Sequence, residues 1–380
     1  MTARRSIDVE MFTLAAAHLR SENKLQGEIA KILKISQPEV SRMLKRAKDK
    51  KWLDYPPPVF RCPQEVRDLW ERAHARFFSS EKLLNRLRAF EPSRVARLKQ
   101  VSIFHGDATG RFNRTVLPAV EAIMAQASVM GVTWGRTVHG LVVALREHLA
   151  GPLRQDRPIR FVPLCGEPLK DTDDRIERSS SALAASLHEL INGTRAGGGS
   201  PPSLRGVPAF IPSGFNGTEV KTIRRFMRQF VGYAAVFGEE GGGRRDAPLA
   251  DQVDTVLTSV GVVNARYRGI FLSERVQLGE VSERELTESV IGDMGGLIVA
   301  QRKLTPVQAR RIDAMNERWT GIKQRDIERC AEAAAHSTHP GVVVLATEGN
   351  RKDMVLRCIE LGLINQLIIS RELADELAGV

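Results

Sequence analysis

Apolar residues near the start of the chain recur at helical spacing in three runs. Residues 7–21, IDVEMFTLAAAHLRS, offer Val9, Phe12, Leu14, Ala16 and Leu19 to a small core and predict a first helix. The stretch Gln26 to Lys51, QGEIAKILKISQPEVSRMLKRAKDKK, carries two more runs. Ile29, Ile32 and Leu33 share one face, Lys34-Ile35-Ser36 interrupts, and Val40, Met43, Leu44 and Ala47 resume the period. Ser36 with Glu39 three residues on is a capping box, and Pro38 suits a first turn, where the amide it lacks would have no helical partner. The pattern predicts a helix-turn-helix, with Trp52-Leu53 closing its core.

Beyond Val101 the pattern changes to short apolar strands alternating with amphipathic helices. VSIFHG, SVMGV, IRFVPLCG, Val207 to Pro212, DTVLTSVGVV, GVVVLAT and LINQLIIS read as strands, and YAAVFG continues the alternation. Asn113 to Gln126, Val138 to Leu149, Ser179 to Ile191, Glu219 to Phe230 and Lys352 to Leu361 read as helices. Such alternation argues an α/β domain with a mostly parallel sheet. Tyr55 to Pro63, YPPPVFRCP, is a stiff boundary, and the basic segment 64–100 is helical, either a dimerisation helix or one docked on the core. The organisation expected is 1–56 as a helix-turn-helix domain, 57–100 as linker and basic helical segment, and 101–380 as an α/β domain for effector binding and oligomerisation. GTRAGGGSPPS (193–203) and GEEGGGRRDAP (238–248) read as loops.

Charge sharpens this division. The chain of 380 residues has a net charge of +11, and residues 1–100 hold 22 Lys+Arg against 12 Asp+Glu. The basicity is thus an electrostatic footprint for a polyanion, placed at one end. A membrane surface could attract the same charge, but these helices lack the Trp/Phe/Leu-rich face of an interfacial helix. Cys62, Cys165, Cys330 and Cys358 show neither zinc nor redox spacing and read as thiols of a reducing compartment. No signal segment and no apolar run long enough for a bilayer is visible, so a soluble, cytoplasmic, bacterial chain is expected.

The second helix of the motif leaves Ser36, Gln37, Glu39, Ser41, Arg42, Lys45, Arg46 and Lys48 for solvent or a partner. Short polar groups in the first turn suit base edges, and the cations behind them suit phosphates. The plainer reading is a helical hairpin with a solvated charged face. Turn spacing, capping box and charge together favour double-stranded DNA as partner, bound by a dimer or tetramer.

Six pieces, in order, resemble the SorC-type (SorC/DeoR) sugar-binding transcriptional regulators: ISQPEVSRMLKRA, GVTWGRTV, RFVPLCG, DTVLTSVGVV, ESVIGDMGG and ELGLINQLIIS. The resemblance spans nearly the whole chain. It implies an N-terminal DNA-binding domain and a C-terminal Rossmann-like effector domain, related in fold to sugar-phosphate isomerases. It further implies a tetramer responsive to phosphorylated sugars. The chain departs from the family at Thr133, where the GVGWG-like loop has its second glycine, after Asp293, where it reads GGLIVA, and in the turn ATEGNRKD.

Open α/β sheets bind ligands at the carboxyl ends of their strands. The end of SVMGV and the loop after it supply Gly131, Thr133, Trp134, Gly135, Arg136 and Thr137, where helix-start amides, hydroxyls and a guanidinium can receive a phosphate. Gly261, Asp293, Arg351 and Lys352 stand at other strand-end turns and complete the expected effector site, with no cofactor and no metal. Asp293 is one candidate base for an enzyme, but no paired carboxylates or Ser/His/Asp set are visible and the eight histidines show no ligand spacing, so a non-enzymatic regulator is expected. Two other readings stay open. One is a DNA-binding assembly protein of a plasmid, phage or mobile element with a ligand-free α/β body. The other is a sugar-phosphate enzyme with a DNA-binding appendage.

Overall fold

The computed structural model describes residues 2–22, 24–53, 80–91, 97–104, 111–149, 157–169, 177–193, 199–238, 247–264 and 268–379. Three helices come first: α1 (Thr2–Ser21), α2 (Gln26–Leu33) and α3 (Gln37–Asp49). Leu14, Ala16, Leu19, Ile29, Leu33, Val40, Leu44, Ala47, Trp52 and Leu53 pack into a hydrophobic cluster of their own. The break between α2 and α3 is tight because Lys34 takes a left-handed conformation, φ 55°. Val9 is exposed, contrary to expectation, and Phe12 and Ile32 only edge this core.

The later elements are α4 (Glu81–Arg88), β1 (Gln100–Phe104), α5 (Arg111–Thr115), α6 (Leu117–Gln126), β2 (Val129–Val132), α7 (Arg136–His148), β3 (Arg160–Pro163) and α8 (Ser180–Asn192). There follow α9 (Gly217–Met227), α10 (Val231–Phe237), α11 (Leu249–Gln252), β4 (Thr255–Val262), α12 (Ile270–Gln277), α13 (Glu283–Ser289), β5 (Val290–Met294) and β6 (Leu297–Ala300). The chain ends with α14 (Pro306–Glu317), α15 (Gln324–Ala335), β7 (Gly341–Ala346), a 3-10 turn (Gly349–Arg351), α16 (Lys352–Glu360), β8 (Gln366–Ser370) and α17 (Arg371–Ala378).

Six strands lie parallel in the order β1-β8-β7-β4-β2-β3, and β5 and β6 extend β4 as an antiparallel hairpin. Alternate residues of one strand serve opposite faces: Val342 and Val344 of β7 join one core cluster, Val343 and Leu345 the other. Helices α6, α7 and α8 cover the second face through Val120, Leu141 and Leu187; α15, α16 and α17 cover the first through Ile327, Val355 and Leu373. The protein is therefore an α/β fold with an N-terminal helix-turn-helix and a largely parallel sheet.

Several expectations are corrected. Val207 to Pro212 is no strand; Pro208 and Phe210 make only isolated bridges, to Glu167 and Trp319. YAAVFG lies in helix α10, which buries Tyr233, Ala234 and Val236 on one side. The single helix expected over 113–126 is split, because Pro118 restarts it at Leu117. Leu83 and Leu87 of α4 are buried in the sheet's own core, so this part of the basic segment is docked. Tyr55 to Pro63, Cys62, His105 and residues 64–79, 194–198 and 239–246 lie outside the described residues.

Candidate functional site

The first candidate surface is the outer face of α3. Glu39 accepts from the Ser36 amide at 2.8 Å and from the Ser36 hydroxyl at 2.6 Å, which fixes where the helix begins. These bonds hold the Glu39 carboxyl below the usual carboxylate range, the hydroxyl contributing most. Glu39 is thus engaged in the cap. Ser36, Gln37, Ser41, Arg42, Lys45, Arg46 and Lys48 are all exposed, on the side opposite Val40, Leu44 and Ala47. Lys50 is held elsewhere: it pairs with Glu10 and sits 4.5 Å from the Trp52 ring centroid.

The second candidate is a cleft of about 250 Å³ at the carboxyl ends of β2 and β4, bounded also by the turn after β7. Strand β4 neighbours both β2 and β7 in the sheet, so the chain runs outward in opposite directions on its two sides. Such a switch point opens a crevice between the loops that leave the strands. Trp134, Gly135, Arg136 and Thr137 enter from the β2–α7 turn, Ser259 and Gly261 from β4, and Arg351 from the 3-10 turn. Helix α7 starts at Arg136 and aims its first free amides at this space. Gly135 leaves room there, since a β-carbon on it would stand 2.7 Å from the Ser259 hydroxyl.

Asp293 arrives from β5, where antiparallel register sets it opposite Gly261. The two-residue Gly295-Gly296 turn, φ 57° and 96°, reverses the chain into β6 as a hairpin turn with both central residues left-handed requires. Asp293 Oδ2 accepts from the Gly296 amide at 3.0 Å, whereas Oδ1 has no hydrogen-bond partner among the described residues. Oδ1 is crowded from two sides, because a β-carbon on Gly261 or Gly269 would come within 2.3 Å of it. Burial pushes the Asp293 carboxyl up to about 6, against the opposing pull of the Gly296 amide and Arg351.

Four guanidinium groups line the cleft, those of Arg136, Arg178, Arg268 and Arg351, against the single carboxylate of Asp293 among the described lining residues. Arg268 is spoken for: it binds Glu283 through two nitrogens, at 2.8 and 2.5 Å, and donates to the Val263 carbonyl at 2.9 Å. Arg351 pairs with Glu348 at 2.7 Å. Arg136 is exposed at the mouth. Trp134 and Phe271 form the apolar wall, their rings 5.7 Å apart, and Trp319 backs Phe271 at 4.8 Å.

Three expected effector residues lie elsewhere. Gly131 is within β2, packed against Leu164. Thr133 is buried; its hydroxyl donates to Thr258 at 2.8 Å, and its methyl packs toward Gly295. The family's glycine is therefore replaced without filling the cleft. Lys352 opens α16 outside the lining. Sequence reasoning did not single out Arg178, Ser259, Arg268, Gly269, Phe271 or Ser273, which all line the cleft. The Gly-Gly pair after Asp293 was a legible hairpin signal that points to this corner. Arg178 carries no local signal.

Searched by sequence, the chain matches no protein-family model and no curated protein. By structure it is similar to the full-length sorbitol operon regulator SorC from Klebsiella pneumoniae, with TM-score 0.53 and 17% identity over 97% of this chain and 99% of that one. A DeoR family transcriptional regulator from Listeria monocytogenes superposes with TM-score 0.51 and 14% identity, covering 78% of this chain and 98% of its own. A transcriptional regulator from Streptococcus pneumoniae gives 0.53 and 13%, covering 78% and 96%. Along nearly its whole length, helix-turn-helix included, this chain therefore has the fold of the SorC/DeoR-family transcriptional regulators.

Proposed function

We propose that the chain is a ligand-responsive transcription regulator. In this reading α3 reads an operator, and the cleft beside β4 binds a small anionic metabolite, a phosphorylated sugar, that changes operator affinity. The observation that carries it is the cleft itself. The first turn of α7, the Arg136 guanidinium and the Thr137 and Ser259 side chains border one space that holds a lone carboxylate. A phosphate suits the amides and cations, and Asp293 is the one carboxylate among the described lining residues toward which sugar hydroxyls could turn. Regulation then follows from a difference in ligand affinity between DNA-competent and incompetent arrangements.

The regulator reading is preferred to an enzyme because no second carboxylate, histidine, lysine or cysteine lines the cleft among the described residues. The three buried thiols described, Cys165, Cys330 and Cys358, are all raised by burial, which makes poor nucleophiles of them. The ligand-free assembly-protein reading rests on the missing glycines and the basic bias; of the former, Thr133 turns its side chain to Thr258 instead of the cleft.

The test is titration calorimetry of the whole chain with phosphorylated trioses, pentoses and hexoses. Binding sites selected from random duplex DNA then measure operator affinity with each hit. A hit should bind wild type and lose about tenfold or more in Arg136→Ala, since charge-assisted bonds are worth about 1.5–3 kcal/mol. Arg42→Ala should cost about 1–3 kcal/mol at the selected site only. If no compound of the panel binds, or Arg136→Ala binds as tightly as wild type, the effector reading fails.

A further inference from the structure

The apolar wall of the cleft has space on its far side. Trp319, which backs Phe271, also borders a second cavity of about 610 Å³, together with Thr320, Gly321, Lys323, Tyr233 and Phe237. The Phe271 and Trp319 rings are thus a partition between cleft and cavity. A partition with room behind it has a second position to move to, which a ring in a filled core lacks. Trp319 lies in the loop that joins α14 to α15, and this loop is wound round one ammonium group. Lys323 Nζ donates to the carbonyls of Asn316 at 2.9 Å and Glu317 at 3.0 Å, the last two residues of α14, and to that of Trp319. Lys323 is also the N-cap of α15, its own amide donating to Asp326 at 3.1 Å. A shift of Trp319 therefore reaches the start of α15.

The other end of α15 is tied to the place where the chain enters the sheet. Lys99, the residue before β1, donates to the carbonyls of Ala334 at 2.8 Å and of Ser337 and His339 at 2.9 Å. Buried Asn365 bridges the same two segments, donating to the Arg97 and Ala331 carbonyls, each at 2.9 Å. Arg88 of α4 donates to the Leu98 carbonyl at 2.9 Å, so the docked helix shares this anchor. We propose that α15 is the rod that couples the cleft to the helix-turn-helix. A ligand displaces the Phe271–Trp319 partition toward the cavity, Lys323 hands the shift to one end of α15, and Lys99 and Asn365 take it from the other. Helix α15, 12 residues long, spans about 18 Å. Rigid elements and hydrogen-bond networks with two arrangements are what carry coupling over such distances. The inference rests on the effector reading above and names its route of regulation.

Hydrogen exchange of the full chain, read by mass spectrometry, tests the rod with no ligand present. Lys323→Met should speed exchange at 316–327, where its bonds are lost, and by about fivefold or more at 97–101, beyond the far end of α15. Lys303→Met, at an exposed lysine before α14, is the control and should change neither. Lys323→Gln, which keeps a donor, takes the place of Lys323→Met if methionine unfolds the chain. Calorimetry and operator binding test the coupling. Lys99→Met should bind each triose, pentose or hexose phosphate that wild type binds, within about twofold, yet the ligand should change operator affinity about fivefold less or weaker still. A full ligand response in Lys99→Met, or unchanged exchange at 97–101 in the Lys323 variant, overturns the rod and leaves the effector reading standing. A wild type that binds no sugar phosphate overturns the effector reading and the ligand's part in the rod; exchange alone then decides whether the two ends of α15 are coupled.

Discussion

Asp293 is the residue on which the cleft's chemistry turns, and its burial makes a test by pH. Its carboxyl titrates near 6 in the fold, above the ordinary 3.8. The folded chain thus holds a proton that the unfolded chain releases between those values. Its contribution to stability is complete below the unfolded value and is lost as pH rises through the folded one. Two units correspond to about 3 kcal/mol at neutral pH, an upper figure because the site relaxes. Asp293→Asn keeps the shape and removes the charge. Thermal melts should show the variant more stable than wild type at about pH 7.5, with the gain shrinking as pH falls through about 6 and vanishing only below the unfolded value of 3.8. A variant less stable at neutral pH would mean that the pull of Arg351 outweighs burial. Asp293 was legible in the sequence as a candidate ligand. Its unpartnered oxygen was not, because that depends on Gly269, far from any motif, closing on it.

At the scale of elements, the sequence showed best what local physics decides. Helices α2 and α3 and their turn were readable because capping, period and left-handed break all act within a few residues. The strands of the parallel sheet were readable as apolar runs. Failures came where tertiary packing chose: YAAVFG has strand-like composition, yet one face of it is buried and the Tyr233 hydroxyl donates to the Thr320 carbonyl at 3.2 Å. The β5–β6 hairpin was quoted as a motif without being read as a turn. Its Gly296 gives a measurable contrast. A β-carbon there would meet the Trp319 ring at 2.1 Å, at φ 96°. Gly279 also has positive φ, 70°, with nothing within 4 Å. Gly279→Ala should cost about 1 kcal/mol, from backbone strain alone. Gly296→Ala should cost at least about 2 kcal/mol more, because the ring cannot yield without disturbing Phe271. Equal losses in chemical denaturation would show that the hairpin corner is looser than the distances imply.

At the scale of the whole molecule, the division into a basic helix-turn-helix head and a nearly neutral body was visible in charge alone. The convergence of three strand ends on one cleft was not, because strand order cannot be read from strand sequence. The fold also separates its indoles. Trp52 closes the helix-turn-helix core, while Trp134 walls the cleft and Trp319 stands behind Phe271. Of the chain's four tryptophans, the three among the described residues are thus built-in fluorophores, one in the head and two in the body. If the proposed sugar phosphate enters the cleft, the polarity should change around Trp134 before anything changes near Trp52. Emission should shift with ligand in wild type and in Trp52→Phe, and stay still in Trp134→Phe; a shift that persists in Trp134→Phe places the ligand elsewhere. Light of one wavelength would then follow effector occupancy without a label, a radioisotope or DNA in the cuvette.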